Sequence, residues 1–221
     1  MNSSKNRNSV LLVHGINDTG AVFHRMAPYL TQRGWSVYDL DLMPSNGDLR
    51  LDELGQQVAN SIAATFAPEQ HVDLVGFSMG GIVSRYYVQR LGGIDRIQRF
   101  ITIAAPHHGT WIAYFCDRPG CVQMRPDSTF LQQLNQEAGM LERLNFTSIW
   151  TPMDLMIVPA NSSQMQVGQN VQVPVLTHAG MITEPMSLDA VVAALSEPLK
   201  QNRQFGHSHN YQKSLQRDGN T

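Results

Sequence analysis

The sequence predicts an α/β protein: a mainly parallel sheet of six strands with helices on both faces. Three observations carry this. Short apolar runs alternate with stretches of helical periodicity along most of the chain. Several of those runs are almost continuously apolar, as strands buried on both faces require. Glycines close the strands and helices where turns are needed.

The elements follow in order. Val10 to Val13 reads as a buried strand ended by Gly15. Ala21 to Gln32 carries Val22, Met26, Tyr29 and Leu30 at helical spacing, and Gly34 suits its C-terminal cap. Trp35 to Leu40 reads as a second strand. Leu51 to Phe66 is helical, with Pro68 just beyond it. Val72 to Phe77 is a third strand, followed by a helix from Ser78 to Leu91 that closes at Gly92-Gly93. Gln98 to Ala104 is a fourth strand. An irregular insert, about 106–126, then departs from the rhythm. Asp127 is placed as the N-cap of a helix reaching Leu144. Phe146 to Thr151 and Val171 to Val175 are the last strands, and Met186 to Leu199 a last helix capped by Ser187. No internal repeat or linker divides the chain, so residues 1–199 are expected to form one domain. Residues 200–221 are a polar tail, expected to be disordered.

Composition narrows the classes. The chain has 221 residues, 42% hydrophobic and 15% charged, enough apolar content for a sizeable core. A net charge of −2 gives no electrostatic reason for nucleic-acid binding. No apolar run approaches the ~20 residues of a membrane-spanning helix. The polar start, Met1 to Arg7, precedes an apolar stretch too short for a secretory signal, so a cytoplasmic location is expected. Cys116 and Cys121 are close enough in sequence for a local bridge, but in a reducing compartment two free thiols are the expected state. They lack the partners of a zinc site, although His107 and His108 precede them, and no metal is expected.

The chemistry begins at Gly76-x-Ser78-x-Gly80, between a strand and a helix. This setting raises a serine on a strained turn, with glycines where side chains would clash. The alternative makes Ser78 a helix cap in a glycine-rich turn. Acyl transfer also needs two N–H groups for the oxyanion. One follows the nucleophile, at Met79. The other is expected from the loop after the first strand, at Ile16, with His14 orienting that loop. A serine raised on such a turn precedes its acid, and the acid precedes the histidine. His178 follows the last strand, whereas His207 and His209 lie in the tail and His107 and His108 precede any suitable acid. Asp95, Asp117, Asp127, Glu137 and Glu142 lie at the wrong end of the sheet, in the insert or on a helix. Asp154 directly follows the fifth strand, leaving Ser78, Asp154 and His178.

In the insert, Trp111, Ile112, Tyr114 and Phe115 concentrate large apolar groups, and Trp111, Tyr114 and Phe115 fit one helix face. They form either a lid over an acyl-chain pocket or ordinary core. Arg118 and Arg125 read as surface charges more readily than as partners of an anionic head group.

Taken together, Val13-His14-Gly15, Gly76-Phe77-Ser78-Met79-Gly80-Gly81, Pro106-His107-His108-Gly109-Thr110 and Asp154-x-x-Ile157-Val158 resemble the α/β-hydrolases. Among these they are most similar to small bacterial lipases and esterases. The resemblance spans Val10 to about Leu199. It implies an α/β-hydrolase fold, a Ser78–Asp154–His178 triad, hydrolysis of carboxylic esters, most directly acyl lipids, and no cofactor. A lipid substrate would bring transient contact with a membrane surface. An acyltransferase or thioesterase would use the same triad, and a non-catalytic binding protein would keep only the fold. One position departs from the family: Thr177 stands before His178, where many members carry glycine.

Overall fold

The structure is a computed structural model and describes residues 7–200. Six parallel strands form one sheet in the order β2-β1-β3-β4-β5-β6. They are β1 (Ser9–Val13), β2 (Val37–Leu40), β3 (Val72–Phe77), β4 (Ile97–Ile103), β5 (Asn145–Trp150) and β6 (Gln169–Gln172). The helices are α1 (Met26–Thr31), α2 (Leu51–Thr65), α3 (Met79–Arg90), α4 (Pro119–Gln123), α5 (Thr129–Gln136) and α6 (Pro185–Ser196). This is the expected α/β-hydrolase architecture. None of the described helices is long and apolar enough to cross a membrane.

The near-continuous apolar runs have a direct cause. Successive side chains of a strand point to opposite faces. Leu11, Val13 and Leu74 pack on one face with Leu54, Val58 and Ile62 of α2 and Val83 of α3. Val10, Leu12, Val75 and Phe77 pack on the other with Met26 and Leu30 of α1 and Leu188 and Val191 of α6. Every residue of β3 is buried. The C-terminal end of this central strand is therefore held rigidly from both sides.

Several boundaries differ from expectation. The first helix divides into a 3-10 turn, Gly20–Phe23, and the short α1, while Gly34 takes φ +93° beyond its end as expected. The long helix over 127–144 also divides. Ser128, not Asp127, caps α5 by accepting a bond from the Leu131 amide, and Asp127 instead accepts one from the Tyr114 hydroxyl. Helical geometry stops at Glu137, and a 3-10 stretch, Ala138–Arg143, follows through Gly139, a poor helix former. The last strand ends at Gln172; the Val173 amide still donates to the Trp150 carbonyl at 2.9 Å, and Val173 and Val175 are buried beyond the strand, in the second core. The last helix starts at Pro185, whose missing N–H costs nothing at a first helical position. Ser187 is buried and donates to the Met181 carbonyl rather than capping. The expectation of a polar, disordered tail lies, apart from Lys200, outside the described residues.

Of the two cysteine readings, the structure has the local bridge and not the favoured free thiols. Cys116 and Cys121 are joined by a disulfide, with Cα atoms 5.8 Å apart. The bridge lies in the insert, where the Gly120 amide donates to the Gly47 carbonyl at 2.9 Å.

Candidate active site

Ser78 stands between β3 and α3 at φ 54°, ψ −126°, a strained conformation for a side-chain-bearing residue. The turn can close only because its neighbours are glycine. A Cβ on Gly76 would lie 2.6 Å from the Gly81 Cα, and one on Gly80 2.3 Å from the carbonyl oxygens of Val13 and His14. Ser78 makes no side-chain capping bond to α3, so the capping alternative has no contact behind it. The residue is 8% exposed.

Met79 opens α3, where the first amides of a helix have no carbonyl one turn back. The loop carrying Ile16 is fixed from several directions. The Asn17 amide donates to the Ser45 carbonyl at 3.0 Å, and Asn17 takes φ +59°. His14 is fully buried: its Nδ1 lies 2.8 Å from the Gly15 carbonyl oxygen, and its Nε2 accepts a bond from the Leu42 amide at 2.9 Å. His14 is thus an orienting residue for this loop, as the sequence indicates.

Asp154 and His178 meet. His178 Nδ1 is 2.8 Å from Asp154 Oδ2. The other carboxylate oxygen accepts bonds from the amides of Met156 (2.8 Å) and Ile157 (3.0 Å), so the buried carboxylate is held in one orientation. The His178 ring packs on Phe77 with centroids 4.8 Å apart, which brings it beside the residue preceding Ser78. Thr151 Oγ1 donates to the Val175 carbonyl at 2.6 Å and ties the acid turn to the segment leading to the histidine. Sequence reasoning missed Phe77, Thr151 and Thr110 as parts of this framework. Phe77 and Thr110 had a signal, their places in the Gly76–Gly81 and Pro106–Thr110 motifs; Thr151 had none.

The insert answers its own two-way reading. Trp111–Phe115 is a 3-10 turn, in which residues i and i+3 eclipse. Trp111 therefore stacks on Tyr114 at 5.4 Å, and Phe115 projects away, 89% exposed. Only Ala113 of this turn enters the core, and Ile112 is half-buried. Trp111 also lines a cavity of about 350 Å³ with His108, Pro126 and Pro159. The loops bearing Asp154 and His178 add Leu155 (80% exposed), Leu176 (72%) and the exposed Met153 and Met156. Arg118 pairs with Asp48, and Arg125 with Asp117. Both arginines are thus occupied in holding the insert.

Helix α3 itself carries a buried cation that pairs with no carboxylate among the described residues. Arg85 bonds the side chains of Gln89 and Asn135 and the Leu134 carbonyl, and burial pushes its pKa down to about 9. His107, also fully buried, has Thr102 Oγ1 2.9 Å from its Nε2. Burial, and then the charge of Arg85, hold His107 well below the ordinary value of 6.5. The unfolded chain takes up this proton near pH 6.5, and the folded protein does not. Stability is therefore expected to fall as pH drops below about 6.5, by at most about 1.4 kcal/mol per pH unit for this proton. Urea midpoints across that range check it, and His107→Gln should flatten the slope; a slope unchanged by the substitution would refute this source.

The family model described as palmitoyl protein thioesterase matches residues 9–125. Among solved structures, the chain is similar to a Bacillus licheniformis lipase in mature form, with TM-score 0.74 and 15% identity over 86% of this chain and 93% of that one. It is similar to Aspergillus fumigatus lipase B at TM-score 0.76 and 21% identity, over 89% of this chain and 54% of that one, so it spans about half of that lipase. An extracellular α/β-hydrolase from a Paenibacillus species matches at TM-score 0.63 and 14% identity, over 86% of this chain and 100% of that one. At such identities these structures share the fold, and substrate does not follow from them.

Proposed function

The chain belongs to the palmitoyl protein thioesterase family, within the α/β-hydrolases, and from that premise we propose that it is a serine hydrolase cleaving acyl esters of lipid-like substrates. The observation that carries the reading is the 2.8 Å Asp154–His178 bond, with the His178 ring packed on Phe77, the residue before a serine raised at φ 54°.

In this mechanism His178 takes the Ser78 proton as the hydroxyl attacks the acyl carbonyl. Asp154 keeps Nδ1 of His178 protonated and stabilises the imidazolium that forms. The amides of Ile16 and Met79 receive the oxyanion. His178 returns its proton to the leaving group. It then activates the water that cleaves the acyl-enzyme and regenerates Ser78.

The apolar side chains of Trp111, Phe115, Leu155, Met156 and Leu176 support a long acyl chain. They stand on the insert and on the loops that bear Asp154 and His178. Their exposure also suits transient contact with a lipid surface. A thioester in place of the oxygen ester is the second reading. The family's description favours it, and the same acyl-enzyme serves both.

Hydrolysis of p-nitrophenyl esters from acetate to palmitate, run beside acyl thioesters of matched length, tests substrate class. Activity is expected to rise with chain length. A Phe115→Ser, Leu155→Ser double variant should lower the long-chain over short-chain ratio by roughly 5- to 10-fold, from lost apolar contact, with short-chain turnover kept. A ratio unaffected by the double variant would remove Phe115 and Leu155 from the substrate site. No hydrolysis of any ester or thioester would favour an acyltransferase or a binding protein.

A further inference from the structure

Thr110 is a buried hydroxyl at the start of the insert, outside the Ser78, Asp154 and His178 constellation. Its Oγ1 donates to the Met156 carbonyl at 2.8 Å and accepts from the Val158 amide at 3.0 Å. It also accepts from the Ile112 amide at 3.3 Å, which fixes the first turn of the insert. The next backbone link, from the Trp111 amide to the Val158 carbonyl at 2.8 Å, lies beside it. The segment gripped in this way, Met156 to Val158, supplies both amides that hold Asp154 Oδ1. One hydroxyl thus clamps the peptide units on either side of Ile157, and these present the carboxylate to His178.

We propose that Thr110 is a positioning residue for the acid of the triad, acting through the Met156–Val158 backbone. The proposal rests on the triad reading above. Loss of the hydroxyl leaves the Val158 amide and the Met156 carbonyl without their buried partner, so the segment must move to find others. The Asp154 carboxylate then loses its fixed orientation, and its second oxygen no longer holds His178 Nδ1. A displacement of about 1 Å at such a group costs turnover on the order of 100-fold. A short ester does not extend to the exposed side chains of Met156 and the Trp111–Phe115 turn, so with such a substrate KM should be little changed. The same arrangement links the insert mechanically to the acid, because Thr110 is at once the cap of the Trp111–Phe115 turn and the clamp of the acid segment.

The test compares Thr110→Val, which keeps the shape and removes the hydroxyl, with Thr110→Ser, which keeps the hydroxyl. A short p-nitrophenyl ester is the substrate. Thr110→Val should lower kcat by about 10- to 100-fold with KM within about twofold, and Thr110→Ser should restore most of it. The far-downfield proton signal of the His178 Nδ1–H bond to Asp154 should disappear in the valine variant and persist in the serine variant. Ser148→Ala is the control for stability alone: it removes a buried hydroxyl bonded to the Ser163 carbonyl, away from residues 156–158. It should lower the melting temperature with kcat unchanged.

A folded Thr110→Val enzyme with kcat within twofold of the original would overturn the proposal, as would retention of the downfield proton. If that variant does not fold, amide exchange in the unaltered protein decides. Slow exchange at Met156, Ile157 and Val158 supports the clamp, and fast exchange refutes it. Failure of the triad reading is separate, since it shows as full turnover in Ser78→Ala whatever Thr110 does.

Discussion

Ser78→Ala is expected to lower kcat for ester hydrolysis by a factor on the order of 10⁵ or more, and to abolish labelling by a fluorophosphonate probe. The size follows from the chemistry: without the hydroxyl no acyl-enzyme forms, and only the oxyanion amides and substrate binding are left to act on water. The fold should survive. Serine and alanine both carry a Cβ, so the strain at φ 54° is already present and the substitution adds none. The Ser78 side chain makes no capping bond to α3, so none is lost. A melting temperature within a few degrees of the original, with turnover gone, is the expected pair of results. Wild-type turnover in the folded variant would place the nucleophile elsewhere.

Asp154→Asn should cost about 10⁴-fold in kcat with the fold intact. The local hydrogen bonds make this sharper than a general loss of charge. Two backbone amides, from Met156 and Ile157, already point at Oδ1. An asparagine would keep its carbonyl oxygen there, because its amide nitrogen cannot accept those bonds. The NH₂ group must then face His178 Nδ1, where the carboxylate oxygen now lies at 2.8 Å. Nδ1 would have to accept, the ring proton would move to Nε2, and the nitrogen needed as base would be blocked. Steady-state kinetics should show the loss in kcat with KM largely kept. A loss under tenfold would remove Asp154 from the role of acid partner. The Thr110 variants probe the same bond from outside, so their effect should vanish in an Asp154→Asn background.

Strand β3 and the turn after it were readable because physical demands there are local and repeated. A strand buried on both faces must be apolar at every position, and Val72 to Phe77 nearly is; its exception, Asp73, is paired with Arg99 at 3.1 Å. The glycines at 76 and 80 are demanded by contacts within a few residues or with the neighbouring β1. Asp154 and His178 were readable for a different reason: each follows a strand at the end of the sheet where such folds gather their polar groups.

The errors share a cause as well. Local pattern suggests the 127–144 helix, the extent of β6 and the Ser187 cap, and each outcome is set by a contact outside that pattern; the Ser187 hydroxyl, for one, goes back to the Met181 carbonyl. Tyr114 takes the Asp127 carboxylate, so Ser128 becomes the cap. Val173 and Val175 are apolar because they meet the core beside α6, beyond the end of the ladder.

By itself, then, the sequence determined the layering of the sheet, the elbow that raises Ser78, and which acid and histidine follow strands. Those depend on alternation, on glycine's missing Cβ and on chain order, all of which are written in neighbouring residues. Tertiary structure alone decided three things. It joined Cys116 to Cys121, turned Trp111, Tyr114 and Phe115 outward from the core, and placed the Thr110 hydroxyl against the Met156–Val158 backbone. Each of these is a matter of where two segments meet in space. No periodicity within either segment encodes that meeting, because backbone amides and carbonyls are the same at every residue.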